Sequence, residues 1–321
     1  MNAPGSHAAV PLPVGPPSRS CSAALAAIDH HPGGGEPRAA RTIRPQRNLQ
    51  YQLHQLLGQG GNGRVFKAWD DRRQQFVAFK RYIEPAEKDN RRWTPVGGTP
   101  GWNHPGLVTY HDLAADNDGL YCVMELLEGV TLADHLKQKG PLPLRDFIDV
   151  TRHTLAGLHE AHACGYFHKD IKAENIMLSR AGVQSYRSRL FDFTLAERRL
   201  PPQHETSRLP LLKGKVTLFG SIYTMAPEQF NRQPFTARTD LYALGCVLYQ
   251  CAAGNLPFTG PTNADVMMAH LHHNVMSLEE VKTPLRKSVA QWVMRLLALT
   301  PAERPESAHA ALKSFEEALL K

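Results

Sequence analysis

Apolar and polar positions change their period several times along the chain, and each change marks an element. Tyr51-Gln-Leu-His-Gln-Leu-Leu57 reads as a strand. The turn Gly58-Gln-Gly-Gly-Asn-Gly63 leads into a second β-type run, Val65-Phe-Lys-Ala-Trp69. Phe76-Val-Ala-Phe-Lys80 predicts a third strand, and Leu120-Tyr-Cys-Val-Met-Glu-Leu-Leu127 a buried one that breaks at Glu128-Gly129. Beyond that break the spacing turns helical. Phe147, Val150, Leu155 and Leu158 recur at helical intervals between Leu144 and Cys164. A strongly apolar helix starts at Thr239-Asp240 and ends near Gly254, and a last one, roughly Ser307 to Leu320, aligns Ala311, Leu312, Phe315 and Leu319. One stretch resists both periods: Thr94-Pro-Val-Gly-Gly-Thr-Pro-Gly101 holds two prolines and three glycines, so no regular helix is expected there.

Composition adds limits. With 321 residues, 42% hydrophobic and 21% charged, the chain can bury a large core. Residues 1–49 are rich in Pro, Gly, Ala and Ser, include Gly33-Gly-Gly35 and predict a disordered tail. No apolar run approaches the ~18 residues of a membrane helix, so no membrane span is expected. The N-terminus lacks a charged start followed by a long apolar core, which argues against a secretory signal. Five cysteines at no regular spacing make no disulfide framework, and a cytoplasmic setting fits. The net charge of +7 suggests nucleic acid, yet the basic residues are scattered without an aromatic stripe, so no specific nucleic-acid partner is expected. Sixteen histidines raise metal binding, but no Cys or carboxylate joins His159 and His162, or His270, His272 and His273, at ligand spacing.

The chemistry concentrates in His168-Lys169-Asp170-Ile171-Lys172-Ala173-Glu174-Asn175. A carboxylate, an ammonium and an amide oxygen within eight residues are what phosphoryl transfer needs: a proton acceptor, a counter-charge and a Mg²⁺ ligand. The stretch resembles the catalytic loop of the eukaryotic-type (Hanks-type) Ser/Thr protein kinases. Other motifs resemble the same family in the same order. They are the glycine turn followed by a strand rather than a helix, the strand lysine Lys80, Leu190-Phe-Asp-Phe-Thr194, and Gly220-Ser-Ile-Tyr-Thr-Met-Ala-Pro-Glu228. Val123-Met-Glu and Gly129-Val-Thr-Leu look nearest to the bacterial eukaryotic-like members.

The resemblance covers about Tyr51 to Lys321 and implies an α+β, two-lobed fold. Residues 50–126 would form a small antiparallel N-lobe with an irregular helix C, and 127–321 the hinge and a larger α-helical C-lobe. It implies ATP, held by Gly58, Gly60, Gly61, Gly63, Val65, Ala78, Lys80, Met124, Met177 and the backbones of Glu125 and Leu127. By the same resemblance Asp170 is the base, Lys172 and Lys80 neutralise phosphate charge, and Asn175 and Asp192 hold Mg²⁺ or Mn²⁺. His168 would pack behind the metal loop, Asp240 would brace the catalytic loop, and Arg304 would pair with Glu228. Ser221, at the family's threonine position, would bond near Asp170 and Lys172 and argues for Ser/Thr-type hydroxyl substrates, with Thr206, Ser207 and Thr217 as candidate phosphosites of the activation segment. The implied partners are proteins with acceptor Ser or Thr, and a phosphatase or a phosphothreonine-binding protein.

Three departures stand out. Counting back from Asn103-His-Pro105 puts Pro95 where the family has the glutamate that pairs with the strand lysine; Glu84 and Glu87 are the only glutamates between Lys80 and His104. Lys169 stands for an arginine, and Thr194 for a glycine. These departures motivate a rival reading, a pseudokinase scaffold that binds nucleotide or partners without chemistry. A small-molecule phosphotransferase of similar ancestry fits less well, because such enzymes generally lack the Ala-Pro-Glu segment and its arginine.

Overall fold

The structure, a computed structural model, describes residues 50–61, 63–83, 101–180, 185–193, 197–198 and 221–321, with backbone alone at 197, 198 and 221. The expected tail, the sites of Pro95, Glu84, Glu87 and Thr194, and the candidate phosphosites Thr206, Ser207 and Thr217 lie outside these residues.

Five antiparallel strands form one sheet in the order β1-β2-β3-β5-β4: β1 Tyr51–Gly60, β2 Gly63–Asp70, β3 Gln75–Tyr82, β4 Tyr110–Asp116 and β5 Gly119–Glu125. Residue alternation divides β3 and β5 between two apolar clusters. Val77, Phe79, Tyr121 and Val123 meet Tyr51 and Ala68 on one face, while Ala78, Cys122 and Met124 meet Val108 on the other. The Arg81 guanidinium caps the first cluster, 5.1 Å from the Phe79 ring and 5.3 Å from that of Tyr121, and binds both oxygens of Asp116. The turn between β2 and β3 is built by Asp70, whose carboxylate accepts from the N–H groups of Arg72 and Arg73.

A helical lobe follows. It contains α1 Leu132–Lys139, α2 Leu144–Ala163, α3 Pro227–Phe230, α4 Ala237–Ala253, α5 Asn263–Leu271, α6 Lys287–Leu296 and α7 Ala308–Leu319. A three-stranded sheet of β6 Val130–Thr131, β8 Ile176–Arg180 and β9 Tyr186–Leu190 and a short pairing of β7 Tyr166–Phe167 with β10 Glu197–Arg198 sit among these helices. Leu144–Ala163 is helical as its spacing predicts, burying Phe147, Val150, Leu155 and Leu158. The most buried helix is α4, with apolar residues on every side, so it is the element around which the lobe packs. Its end is a left-handed Gly254, and the Ser307 hydroxyl caps α7 by accepting from Ala310 N–H. The architecture is the α+β, two-lobed arrangement that the motifs imply.

Candidate active site

The segment 168–175 leaves the short strand β7 and enters β8 of the other small sheet through a single 3-10 turn, Ala173–Asn175, which carries Asn175. Its backbone is braced from below. Asp240, fully buried on α4, accepts from His168 N–H at 2.9 Å and from Lys169 N–H at 3.0 Å, while His162 Nε2 lies 2.9 Å from the same carboxylate. Lys169 has φ +66°, a left-handed conformation these bonds hold in place. Its ammonium lies 5.3 Å from the Phe235 ring.

On this support Asp170 is 4% exposed, with Lys172 Nζ 2.6 Å from its Oδ2. Asn175 Nδ2 donates to the Asp170 carbonyl at 2.8 Å and to its Oδ2 at 3.1 Å, which commits the amide nitrogen and turns the amide oxygen elsewhere. Asp192 follows β9. Its φ is +64°, and its Oδ1 lies 2.5 Å from Lys80 Nζ. Lys80, the expected partner of a helix glutamate, is thus paired with Asp192 among the described residues. His168 packs at a tilt against Phe193, centroids 4.4 Å apart, and its Nε2 lies 3.1 Å from the Phe191 carbonyl oxygen.

The glycine turn answers two different demands. Gly63 has φ +149°, and a Cβ there would fall on the Arg81 carbonyl oxygen. At Gly58 and Gly60 a Cβ would meet nothing within 4 Å, so the fold itself does not require glycine there. That free space suits a ligand approached by backbone N–H groups. Below the turn, Val65, Ala78, Met124 and Leu127 belong to one cluster on the cleft face of the sheet, and Met177 faces out half-buried from β8. The Glu125 N–H donates to Thr109 O at 2.9 Å, and its carboxylate bridges Thr109 N–H and Arg189. Ser221 opens a single turn, Ser221–Thr224, ahead of α3; its side chain is outside the described residues.

Several neighbours of the site carry no motif. Tyr110 OH accepts from Phe193 N–H at 2.9 Å, and Trp102, whose indole N–H donates to Val108 O at 2.8 Å, packs 4.7 Å from Phe193. The only sequence signal was a tryptophan standing in a Gly/Pro-rich stretch. Behind Lys80, burial pushes the Cys122 thiol up to about 11 and the Tyr82 phenol well above its ordinary value, so both are neutral neighbours. Three of the histidines weighed as metal ligands have other contacts: His162 lies on Asp240, His159 packs at a tilt against His309, and His270 bonds Tyr242 OH. Among the described residues no group of three or more His, Cys, Asp or Glu side chains gathers as metal ligands would.

Residues 51–315 match the protein kinase domain family. The chain belongs to that family. Relatives include the serine/threonine-protein kinase PknE of Mycobacterium tuberculosis, 33% identical over 278 residues, which cover 83% of this chain and 47% of PknE. PknD of the same organism is 32% identical, covering 83% of this chain and 40% of PknD. PrkC of Bacillus subtilis is 27% identical, covering 81% and 39%. The chain thus spans less than half the length of these curated relatives. A solved structure of Rad53 in complex with AMP-PNP superposes with a TM-score of 0.66 at 22% identity, covering 83% of this chain and 65% of Rad53, a likeness of fold. No helix of the described residues is long and apolar enough to cross a membrane.

Proposed function

We propose that the chain is an ATP-dependent Ser/Thr protein kinase that also phosphorylates itself, in bacterial signalling. The observation that carries the reading is the meeting of two groups, Lys80 with Asp192 and Lys172 with Asp170 and Asn175, joined where the Phe191 N–H donates to the Asn175 carbonyl at 3.1 Å. Asp170 would accept the proton of a substrate hydroxyl as its oxygen bonds the γ-phosphorus and the bond to ADP breaks. Lys172, already on Asp170, would carry countercharge to the moving phosphoryl. Lys80 would reach the phosphates from β3, with Gly58, Gly60, Gly61 and Gly63 above them. Val65, Ala78, Met124 and Met177 would enclose the adenine, and the backbones of Glu125 and Leu127 would bond its edge.

The donor set fits a hard divalent cation. Asp192 offers a carboxylate and Asn175 an amide oxygen, its nitrogen being spent on Asp170. Mg²⁺ or Mn²⁺ there would neutralise phosphate charge. Residues 50–126 would act as the N-lobe and 127–321 as the C-lobe of a cytoplasmic protein, with Ser221 and Thr217 in the activation segment. Its partners would be Ser/Thr-bearing proteins and a phosphatase or phosphothreonine-binding protein.

The test is incubation with radiolabelled ATP, Mg²⁺ and a basic protein substrate, beside Asp170→Asn. Loss of the base should lower transfer by about 10²–10⁴-fold and leave ATP binding intact. Full activity in Asp170→Asn would refute the assignment; absence of label in the wild type with ATP bound would favour a pseudokinase.

A further inference from the structure

Asp192 has a left-handed backbone, φ +64°, which a non-glycine residue adopts only when its surroundings fix it. Two peptide groups flank it. The one before, through the Phe191 carbonyl, lies 3.1 Å from His168 Nε2. The one after, through the Phe193 N–H, donates to Tyr110 OH at 2.9 Å. Rotation about either backbone bond of Asp192 would break one of these contacts. The Tyr110 ring has a fixed seat of its own, 6.1 Å from the anchored Trp102 indole and edge-on to Phe193 at 6.5 Å. Burial raises the phenol well above its ordinary value, with the Cys122 thiol and the Asp192 carboxylate facing it, so it is a neutral acceptor.

We propose that Tyr110 is a positioning residue for Asp192: its hydroxyl, opposite the His168 imidazole, locks the peptide groups on either side and presents the carboxylate to the cation. The proposal rests on the kinase reading of Asp192. It assigns work to a single oxygen atom, since a phenylalanine would pack equally well.

Tyr110→Phe removes that atom alone, and Tyr110→Leu removes the ring as well. ATP affinity is measured calorimetrically with Mg²⁺ and with EDTA, beside thermal denaturation without nucleotide. In Tyr110→Phe the Mg²⁺-dependent Kd should rise about tenfold, the loss of one buried hydrogen bond. The Kd in EDTA and the melting temperature should stay close to wild type. The Phe193 amide should exchange faster with deuterium in the same variant, a readout that needs no ligand. Wild-type Mg²⁺·ATP affinity in Tyr110→Phe, with loss confined to Tyr110→Leu, would overturn the proposal in favour of ring packing. Equal loss with and without Mg²⁺ would overturn it too. A wild type whose ATP affinity ignores Mg²⁺ would instead sink the metal role of Asp192 itself.

Discussion

Lys80 with Asp192 and Arg304 with Glu228 are both ion pairs between distant parts of the chain, and they are built to opposite ends. Arg304 has five N–H donors and uses them all. Two go to the Glu228 carboxylate at 2.7 and 3.0 Å, and the others to the carbonyls of Ala298, Arg238 and Leu299. The Tyr242 ring lies 4.6 Å from the guanidinium, and the pair is 0% and 3% exposed. Lys80 reaches one oxygen of Asp192 at 2.5 Å, and that carboxylate is 18% exposed at the mouth of the cleft. A saturated pair can only hold still. A pair whose carboxylate is partly exposed can exchange partners, so the difference separates a fixture from a contact able to change.

Removing one partner of each pair tests that separation. Arg304→Met strands a buried carboxylate and three carbonyls, and should cost about 3–5 kcal/mol. Denaturant midpoints would show it, and a loss below about 1 kcal/mol would mean the pair is no fixture. Lys80→Met should cost less, about 1–3 kcal/mol in the same assay, because the Asp192 carboxylate left behind is partly exposed. Its turnover should instead drop by about 10²–10³-fold, as expected for a donor aimed at developing charge. The smallest effect concerns the surroundings of the fixture. His270, fully buried, bonds the Tyr242 hydroxyl at 2.8 Å and lies against the backbone of Ile222 and Tyr223. Burial pushes its pKa down to about 4 from 6.5. The folded protein therefore keeps it neutral while the unfolded chain protonates, and stability is lost as pH falls from 6.5 toward 4. Between pH 7 and 5.5 this amounts to roughly 1 kcal/mol. His270→Gln should flatten that slope, whereas an unchanged slope would place the acid sensitivity elsewhere.

Much of this site was legible because its chemistry is local. Asp170, Lys172 and Asn175 lie within six residues, so any turn that brings them together also reveals them. The strands were legible from Val77, Phe79, Tyr121 and Val123, whose alternation reports a two-faced sheet. Tyr110 was not. A tyrosine in an alternating strand shows the same period whether or not its hydroxyl is used, and its partner lies 83 residues away. The same holds for Glu125, bonded to Arg189 across 64 residues, and for His162, bonded to Asp240 across 78. Periodicity records which face a side chain takes, while a single polar atom's partner is decided by tertiary contacts.

The chain crosses between the lobes at Thr109 and again at Glu125, and these two crossings are tied to each other by the Glu125 N–H and carboxylate. Just before the first, Gly106 and Val108 bond the backbone of Leu190, and Gly106 rests directly on Gly157 of α2. Mechanically, 106–108 is therefore cargo of the large lobe, and the sheet is carried on one axle running through Thr109 and Glu125. Met124 and Ala78, beside the axle, sweep almost no arc when the sheet tilts. The glycine turn, whose Gly63 pairs with Tyr82 five residues along β3 from the Val77 partner of Glu125, sits about 16 Å away, at the end of the lever. One small rotation would thus leave Met124 and Ala78 where they are and lift the glycine turn.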